Sequence, residues 1–493
     1  MKKHFKSLFL LPTLIAGMAL IPAGRVTAQT FRTLHSFAGS EEAFPAAALI
    51  VSSNTLYGTT SGALDSSGGM VFAINTNGMG FRNVHTFAAG ARDSSGNLTN
   101  SDGSHPQGGL ILSGGALYGT TRQGSSSGLG TVFAVNTDGT DFRTLYSFTG
   151  VTDGATPSAV LILSSNTLYG TTTDFDIYAF GKVFAVNTDG TGFRTLYSFT
   201  GGSDGGDEDT GLILWGNTLY GTTSGFHIHA FGTVFAVNTD GTGFSTLHSF
   251  TPTSDSYPFT NSDGATPEAG LILSSNTLYG TTQGGGAFGN GTMFSINTDG
   301  TGFRNLYTFP ATGADSSGNL TNSNGAIPRG RLILSGNTLY GTAAFGGSSD
   351  SGTVFKVKTD GTSFDALYSF TARPSDYPNA NSDGATPEFG LVLSNHVLYG
   401  TADSGGSWGI GTVFSLLLPT DLPQLTVIAS GPNVILTWPT NYNGFTLQST
   451  TNLGSAAGWT TNSPPPVVVN GQNTVTNPIS GTQQFYRLSQ SWP

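Results

Sequence analysis

The sequence predicts an all-β protein that is built from repeated four-stranded units. Of its 493 residues, 71 are Gly, a share that weakens helix interiors and favours turns. The 34 Phe and 16 Tyr residues can bury a large apolar area, which rules against a disordered chain. One string, Leu-Tyr-Gly-Thr, recurs at intervals of 51 to 61 residues, which indicates a repeat architecture. Its seven copies begin at Leu56, Leu117, Leu168, Leu219, Leu278, Leu339 and Leu398.

Each repeat contains four apolar segments of strand length. In the second repeat they span 109–113, 116–121, 131–135 and 142–148, with turn residues between neighbouring segments. Gly and Asn in these turns supply the positive φ that tight hairpins require. The segments lack strict alternation of polar and apolar residues, which predicts sheets covered on both faces. Each repeat is therefore expected to form a four-stranded meander packed between its neighbours.

The two ends of the repeat array are incomplete in complementary ways. Residues 31–37 match the fourth segment of a repeat without the first three, and residues 411–415 match a third segment without a fourth. We expect the N-terminal segment to complete the last sheet. This predicts a closed seven-bladed β-propeller over residues 29–418, because an open solenoid would instead need polar caps at its ends.

The repeat carries two long motifs that recur in order. Examples are Asn-Thr-Leu-Tyr-Gly-Thr-Thr at 166–172 and Gly-Thr-Val-Phe-Ala-Val-Asn-Thr-Asp-Gly at 232–241. Through these motifs, residues 31 to about 416 resemble the tandem GloVer repeats described from Gloeobacter and Verrucomicrobia. The resemblance implies an exported bacterial protein of unassigned activity, often with a C-terminal anchoring signal. No apolar helix followed by basic residues ends this sequence, so we do not expect a sorting-type anchor.

Residues 1–28 have the parts of a secretory signal peptide. Three lysines precede an apolar stretch at 8–21, and residues 26–28 fit a small-residue cleavage site. The alternative is a membrane anchor, which the short apolar stretch, broken by Pro and Gly, disfavours. We therefore expect a mature chain that begins at Gln29, has no transmembrane segment, and is secreted to the extracellular space or cell surface, with the periplasm as an alternative.

The repeat motifs stop before Pro419, and a different residue pattern follows. Short apolar segments punctuated by Pro and Gly predict a small β-sandwich over residues 419–493, and the ending Phe-Tyr-Arg-Leu resembles immunoglobulin-like or fibronectin-like modules of exported proteins. We expect Trp438 and Trp459 to fill its core, with sugar stacking as the alternative. A surface-attachment or secretion role is the functional hypothesis for this module.

Charge and cysteine content exclude several kinds of partner and chemistry. The formal net charge is −11, and without the four basic residues of the first 28 the chain keeps 14 basic against 29 acidic residues. Such an acidic body repels nucleic acid and anionic lipid, so neither is an expected partner. The absence of Cys excludes disulfides, thiolate nucleophiles and Cys-ligated zinc.

Candidate site residues come from the positions where the repeats differ most. The linker before the first strand and the loop between the second and third strands lie at the same end of each sheet. The residue that enters the first strand should ring the mouth of the central channel. Acidic residues there could bind a cation or act as an acid/base pair, and nearby arginines could hold an anion; the alternative is a solvated rim without function. The acidic candidates are Asp209, Glu268 and Glu388, and the arginines are Arg329 and Arg331.

The loops between the second and third strands carry Tyr178, His227, His229 and Trp408. Aromatic groups beside polar ones suit sugar stacking or protein contact, and local packing is the alternative. A zinc site at His227 and His229 is weakly indicated, since two histidines two residues apart lack a third ligand. We expect no cofactor, with calcium as an alternative at the acidic cluster 204–209 or at 379–384. Neither string has the closing bidentate Glu of a calcium loop, and both suit turns.

The leading functional hypothesis is an exported, non-catalytic binding or scaffold protein that uses the variable loop face to contact a polysaccharide or protein. One alternative is an enzyme for extracellular carbohydrate with the channel-mouth carboxylates as acid and base. It requires Glu268 and Glu388 within about 10 Å of each other across a pocket. Another alternative is a self-associating cell-envelope structural protein. The binding hypothesis requires Trp408 or Tyr178 to be exposed beside a concavity, and the fold alone does not choose among the three.

Overall fold

The structure of the protein is a computed structural model that describes residues 30–39, 43–62, 68–94, 98–150, 152–173, 180–206, 210–225, 231–316, 318–374, 378–418, 425–440, 445–451, 459–461, 465–478 and 484–490. The fold is all-β, and the described residues contain no α-helix. The chain divides into two compact units, one of which is Gln29–Leu418 while the other contains Pro419–Pro493. The boundary between the two units coincides with the end of the repeat motifs in the sequence.

The described residues of the first unit form seven four-stranded antiparallel sheets, numbered here in chain order by their first strands. In each of the first six, the strands follow one another as a meander. Their bounds are: sheet 1, Ile50–Ser52, Thr55–Thr60, Met70–Asn75 and Arg82–Thr86; sheet 2, Ile111–Ser113, Ala116–Thr121, Thr131–Asn136 and Arg143–Ser147; sheet 3, Ile162–Ser164, Thr167–Thr172, Lys182–Asn187 and Arg194–Ser198; sheet 4, Ile213–Trp215, Thr218–Thr223, Thr233–Asn238 and Ser245–Ser249; sheet 5, Ile272–Ser274, Thr277–Thr282, Thr292–Asn297 and Arg304–Thr308; sheet 6, Ile333–Ser335, Thr338–Ala343, Thr353–Lys358 and Asp365–Ser369.

Sheet 7 combines the two ends of this unit. Its first three strands are Val392–Ser394, Val397–Ala402 and Thr412–Leu417, and its fourth is the N-terminal strand Phe31–Ser36. Phe31 pairs with Leu416 and Thr33 with Phe414 in antiparallel register. The N-terminal segment thus occupies the place predicted for it. Two small hairpins, Ala91–Arg92 with Leu98–Thr99 and Gly313–Ala314 with Leu320–Thr321, and a 3₁₀ turn, Gly347–Ser349, lie outside the seven sheets.

Seven apolar clusters each join two consecutive sheets. In one of them, Tyr57 and Val71 of sheet 1 pack with Leu110 and Phe133 of sheet 2, and five further clusters continue this order to sheets 6 and 7. The remaining cluster joins sheet 7 to sheet 1. The order of packing therefore returns from the last sheet to the first.

A stacked ring pair accompanies each of these junctions. Tyr146 in the fourth strand of sheet 2 stacks on Phe193 of sheet 3, with ring centroids 3.8 Å apart and planes 5° from parallel. Where other repeats have Tyr, His85 stacks in the same way on Phe142, and its Nε2 lies 3.2 Å from Asp102. Such histidines are structural. The junction of sheets 6 and 7 is completed by the N-terminal strand, whose Phe31 stacks on the ring of Tyr368.

The glycine of the Leu-Tyr-Gly-Thr string is required by close packing. A methyl group at Gly280 would lie 2.5 Å from Cζ of Phe294 and 2.8 Å from Cδ2 of Leu271. The phenylalanine ring that crosses this glycine is fully buried. The string recurs because the ring packs against the backbone itself, which leaves no room for a Cβ atom.

The second unit contains two antiparallel sheets. One has strands in the order Thr426–Ser430, Asn433–Pro439, Gln472–Pro478 and Val467–Val469, and the other in the order Thr460–Thr461, Phe445–Thr450 and Phe485–Gln490. Residues of both sheets share one apolar cluster with Trp438, which is 1% exposed and fills this core as expected. Trp459 instead lies against the guanidinium of Arg487, 4.3 Å from the ring centroid.

Candidate functional site

A central cavity of about 1030 Å³ lies where the first strands of the seven sheets meet. Described residues from all seven of these strands, or from the linkers that enter them, line it. On sheets 1 and 3 the lining is small and apolar, with Ala46, Ala48, Ala159 and Val160. On sheets 5, 6 and 7 it is charged. The cavity is therefore chemically asymmetric although the repeats that build it are alike.

Arg329 is the centre of a network at the entrance of the first strands. Its Nη1 donates to Glu388 Oε1 at 2.6 Å, and its Nε lies 3.6 Å from Glu268 Oε2. The Nε atom also donates to Gln283 Oε1 at 2.9 Å, and the Gln283 amide donates to Glu268 Oε1 at 2.6 Å. These ion pairs are partly buried, with the three charged side chains 24–34% exposed. The network links sheets 5, 6 and 7.

Asp403 lies in the same cavity, directly after the second strand of sheet 7. Burial raises the pKa of its carboxyl to about 7, and the negative charge of Glu388 adds to this shift, while Arg373 and Arg329 oppose it. Near neutral pH the Asp403 carboxyl therefore exchanges a proton readily. The cavity thus contains this carboxyl group together with the ion pair of Glu388 and Arg329.

Arg331 lies two residues after Arg329 and two residues before the first strand of sheet 6. Its Nε donates to the carbonyl oxygen of Leu271 at 3.1 Å. Desolvation lowers the pKa of its guanidinium. Within the described part of the chain, no carboxylate lies within 4 Å of it. Arg331 is thus a cation inside the cavity, separate from the Arg329 network.

The structure brings together Glu268, Arg329 and Glu388, and it places Arg331 deeper in the same cavity. Because both glutamates contact one guanidinium, their carboxyl groups lie within about 10 Å of each other, as a carboxylate pair requires. Each of the two carboxyl groups forms an ion pair with this guanidinium. The other predicted site residues on the central linkers and loops, Asp209, Tyr178, His227 and His229, lie outside the described residues.

Trp408 lies in the loop between the second and third strands of sheet 7 and is 60% exposed. This loop begins at Asp403, so the exposed indole and the cavity belong to one face of the molecule. Phe288 occupies the equivalent loop of sheet 5 and is 44% exposed. The linker that enters sheet 5 adds Tyr257 and Phe259, which are 73% and 50% exposed. These four residues are called the aromatic rim below.

Linker asparagines hold the loops of this face in place. In sheet 5, Asn261 Oδ1 accepts from the backbone N–H groups of Gly264 and Gly286, at 2.9 and 2.7 Å. In sheet 7, Asn381 makes the same contacts with Gly384 and Gly406. The recurring string Asn-Ser-Asp-Gly is thus a clasp between linker and loop, which explains its recurrence without a ligand.

The aspartates of the suspected calcium strings make similar structural contacts. Asp204 accepts from the Tyr197 hydroxyl at 3.1 Å and from the hydroxyl and N–H groups of Thr200. Asp383 accepts in the same way from Tyr368 and Thr371. Protein donors therefore use the oxygens that a calcium ion would need. Across the ranges that the structure describes, no group of three or more His, Asp and Glu side chains could hold a metal ion.

Sequence reasoning missed Gln283 and Asp403. Both directly follow the Leu-Tyr-Gly-Thr segment, where the other repeats have Ser61, Arg122, Thr173, Ser224 and Ala344. The sequence did indicate this position, because its residue type varies among the repeats as much as the residue type at the entrance to the first strand does. Arg122 and Gln107 show the same relation in sheet 2, where they are 3.3 Å apart. The two variable positions form one layer at the mouth of the cavity.

A family model for the Gloeobacter/Verrucomicrobia repeat matches the chain twice, at residues 94–261 and 256–431. The chain belongs to the Gloeobacter/Verrucomicrobia repeat family. This confirms the resemblance found in the repeat motifs. The second match includes the entire Arg329 network, so the candidate site is built on the family's repeat. No curated protein sequence is significantly similar to the chain.

Solved structures with related folds share little sequence with this repeat protein. An oligogalacturonate lyase in complex with manganese has 10% identity and a TM-score of 0.48, with 79% of this chain and 96% of that chain covered. An oligogalacturonate lyase from Vibrio parahaemolyticus has 9% identity and a TM-score of 0.45, with 80% and 97% covered. TolB from Acinetobacter baumannii has 9% identity and a TM-score of 0.32, with 79% and 75% covered. These likenesses are too weak to indicate an activity.

Among the residues that the structure describes, no helix has the length and apolarity needed to cross a bilayer. The predicted signal peptide, residues 1–28, lies outside the described residues.

Proposed function

We propose that the protein is an exported, non-catalytic binding protein whose loop face holds a saccharide chain. In this proposal the seven sheets are the blades of a closed β-propeller, and the C-terminal unit is an immunoglobulin-like or fibronectin-like module that attaches the protein at the cell surface. The return of the packing order from sheet 7 to sheet 1 supports closure. The signal-like N-terminal sequence supports export.

The observation that carries the proposal is the shared location of the aromatic rim and the polar cavity mouth. Phe288 lies five residues after Gln283 of the Arg329 network, and Trp408 lies five residues after Asp403 of the cavity lining, so each loop contributes an exposed ring and a polar side chain at the cavity mouth. Sugars present apolar ring faces and many hydroxyl groups. Flat aromatic side chains stack on the apolar ring faces, and carboxylates and amides bind the hydroxyl groups. The asparagine clasps hold both in place.

The experiment is a binding screen of the mature protein against neutral and acidic polysaccharides, followed by variants. We expect Trp408→Ala and Phe288→Ala each to weaken binding about tenfold, since each removes one stacking surface. The matched control is Trp215→Ala, because Trp215 is also exposed, at 41%, but lies at the opposite end of its sheet, where the first strand turns into the second. Equal losses in all three variants would contradict a site on the loop face.

An enzyme is the second candidate, and Asp403 is the observation in its favour. A carboxyl with a pKa of about 7 can donate or accept a proton near neutral pH, which acid/base catalysis requires. Under this alternative, the polysaccharide that binds would also be shortened, and Asp403→Asn would abolish cleavage while retaining binding. Release of reducing ends during prolonged incubation decides between binding alone and catalysis.

A further inference from the structure

Each of the seven sheets contributes one equivalent residue, two positions before its first strand, to the layer below the cavity mouth. Six of these residues are small or apolar: Ala48, Gly109, Val160, Gly211, Gly270 and Gly390. The seventh is Arg331. A single repeat therefore places a cation in a layer that is otherwise uncharged. The equivalent residues of the neighbouring repeats provide neither a second cation nor an anion to neutralise it.

Glycines on both neighbouring sheets make room for this side chain. A methyl group at Gly270 of sheet 5 would lie 3.5 Å from Cδ of Arg331, and one at Gly390 of sheet 7 would lie 3.3 Å from its Cβ. Larger residues at these positions would crowd the arginine against the cavity wall. The layer thus accommodates an extended guanidinium rather than a close-packed ring of side chains.

The guanidinium is oriented but incompletely bound. Its Nε donates to Leu271 O at 3.1 Å, which fixes its plane against the strand of sheet 5. The two Nη atoms donate no hydrogen bond to a described residue, although both belong to a side chain that lines the cavity. A cation withdrawn from water is stable only when an anion or several acceptors surround it. The free edge of an arginine fits the two oxygens of a carboxylate.

The other groups in the cavity indicate the rest of the ligand. Glu268 and Glu388 at the mouth are hydrogen-bond acceptors, and Ala46 and Val160 on the opposite wall are apolar. A ligand that extends from Arg331 toward the mouth should therefore end in hydroxyl groups and present an apolar ring face. The acidic body of the protein disfavours polyanions, so one carboxylate suits the cavity better than phosphate does.

We propose that Arg331 binds the carboxylate of a sugar acid inside the central cavity, with hydroxyl groups of the same ligand at Glu268 and Glu388. This inference rests on the proposed saccharide-binding function and names the class of sugar. The sugar acid enters as a free molecule or as the end of a chain, and its carboxylate lies one layer below the Arg329 network.

Isothermal titration of the mature protein with D-glucuronate, D-glucose and inorganic phosphate tests the inference. Glucuronate should bind at least about tenfold more tightly than glucose or phosphate, because only it combines a carboxylate with a hydroxylated ring. Arg331→Gln should remove this preference. Arg331→Lys keeps the charge without the planar pair of donors, so it should weaken glucuronate binding severalfold. It also provides a folded variant for comparison with the wild type if Arg331→Gln does not fold.

The control is Arg143→Gln, which removes one positive charge from the exposed fourth strand of sheet 2, outside the cavity lining, and should leave glucuronate binding unchanged. Equal affinity of the wild type and Arg331→Gln for glucuronate would overturn the inference, as would phosphate binding as tight as glucuronate binding or no glucuronate binding by the wild type. The Trp408→Ala variant separates the two proposals. It should weaken polysaccharide binding about tenfold and keep the affinity for glucuronate, because the cavity site does not include the aromatic rim.

Discussion

At the scale of single residues, some equivalent positions of the repeats have the same structural role in every copy, and others form the candidate site. Tyr146 and His85 occupy one position and make the same ring stack, so that exchange preserves structure. Glu268, Arg329 and Glu388 also occupy one position, yet their charges alternate in consecutive repeats. Because consecutive repeats are neighbours in space, alternation along the sequence becomes an ion-pair network. The pattern favours a site over an uncorrelated charged rim.

The first prediction concerns the proton on Asp403. Its pKa is about 7 in the folded protein against an ordinary value of 3.8, so the folded state binds more protons than the unfolded state between these values. The contribution of this group to stability therefore falls as the pH rises from about 4 to about 7 and stays low above that. In Asp403→Asn the contribution is absent. At pH 8 we expect the variant to exceed the wild type in unfolding free energy by about 1–3 kcal/mol, and to match it near pH 4.

Urea unfolding of both proteins from pH 4 to pH 8 measures this difference. The control is Ser61→Ala, because Ser61 occupies the equivalent position in sheet 1, lines the same cavity and has no group that ionises in this range. Its stability difference from the wild type should not change across the range. A variant at Asp403 that is less stable than the wild type at pH 8 would show that the carboxylate is favourably bound there.

At the scale of the sheets, a few packing requirements explain the repeat. The glycine of the second strand admits the buried ring of the third strand, and the Tyr or His of the fourth strand stacks on the next sheet. These contacts lie within a sheet or between neighbours, so every copy must keep them. The loops at one end of each sheet do not make these packing contacts, and their asparagine clasps use only a few backbone groups. Most of their side chains can therefore differ between repeats. Variation is therefore concentrated on the face that carries the site.

The second prediction is that Gly280→Ala destabilises the protein. Its new methyl group would lie 2.5 Å from Cζ of Phe294, so the ring or the strand must shift. Overpacking of this kind costs about 2–3 kcal/mol. The control is Gly313→Ala, where no atom lies within 4 Å of the new methyl group. Urea midpoints of the two variants give the comparison, and a midpoint for Gly280→Ala equal to that of the control would refute the packing explanation of the motif.

At the scale of the whole repeat unit, the N-terminal strand connects its two ends. Phe31–Ser36 pairs along Thr412–Leu417, and the buried side chains of Leu34 and Phe37 join the cluster between sheets 7 and 1. Phe31 completes the aromatic contacts between sheets 6 and 7. The strand therefore contributes to two of the seven junctions while it covers an edge that would otherwise be open to another chain.

The third prediction is that deletion of residues 30–37 destabilises the unit and makes it aggregate. The deletion removes Phe31, Leu34 and Phe37 from the core, at about 1.5–3 kcal/mol for each large apolar side chain, and exposes the edge of Thr412–Leu417. Light scattering during thermal unfolding detects both effects. Arg32→Ala is the control because Arg32 is exposed on the same strand. A deletion variant that stays monomeric with an unchanged unfolding temperature would contradict the role of the strand.

The sequence by itself determined the repeat, the four strands of each sheet and the pairing of the N-terminal strand with the last sheet. These depend on local patterns and on a count of segments, both of which can be read along the chain. The expected bounds differ by at most two residues in sheet 2, where the first strand begins at Ile111 rather than at residue 109. Membership of the repeat family follows from the same local motifs.

Only the tertiary structure decided which side chains meet in the cavity. Arg329 and Glu388 are 59 residues apart in sequence, and Arg329 and Gln283 are 46 apart, yet each pair is hydrogen-bonded. The proton-binding behaviour of Asp403 and the enclosed position of Arg331 depend on desolvation by several sheets at once. Burial and distances between sheets are properties of the assembled unit, because they arise from how the strands converge and not from the spacing of residues along any one of them.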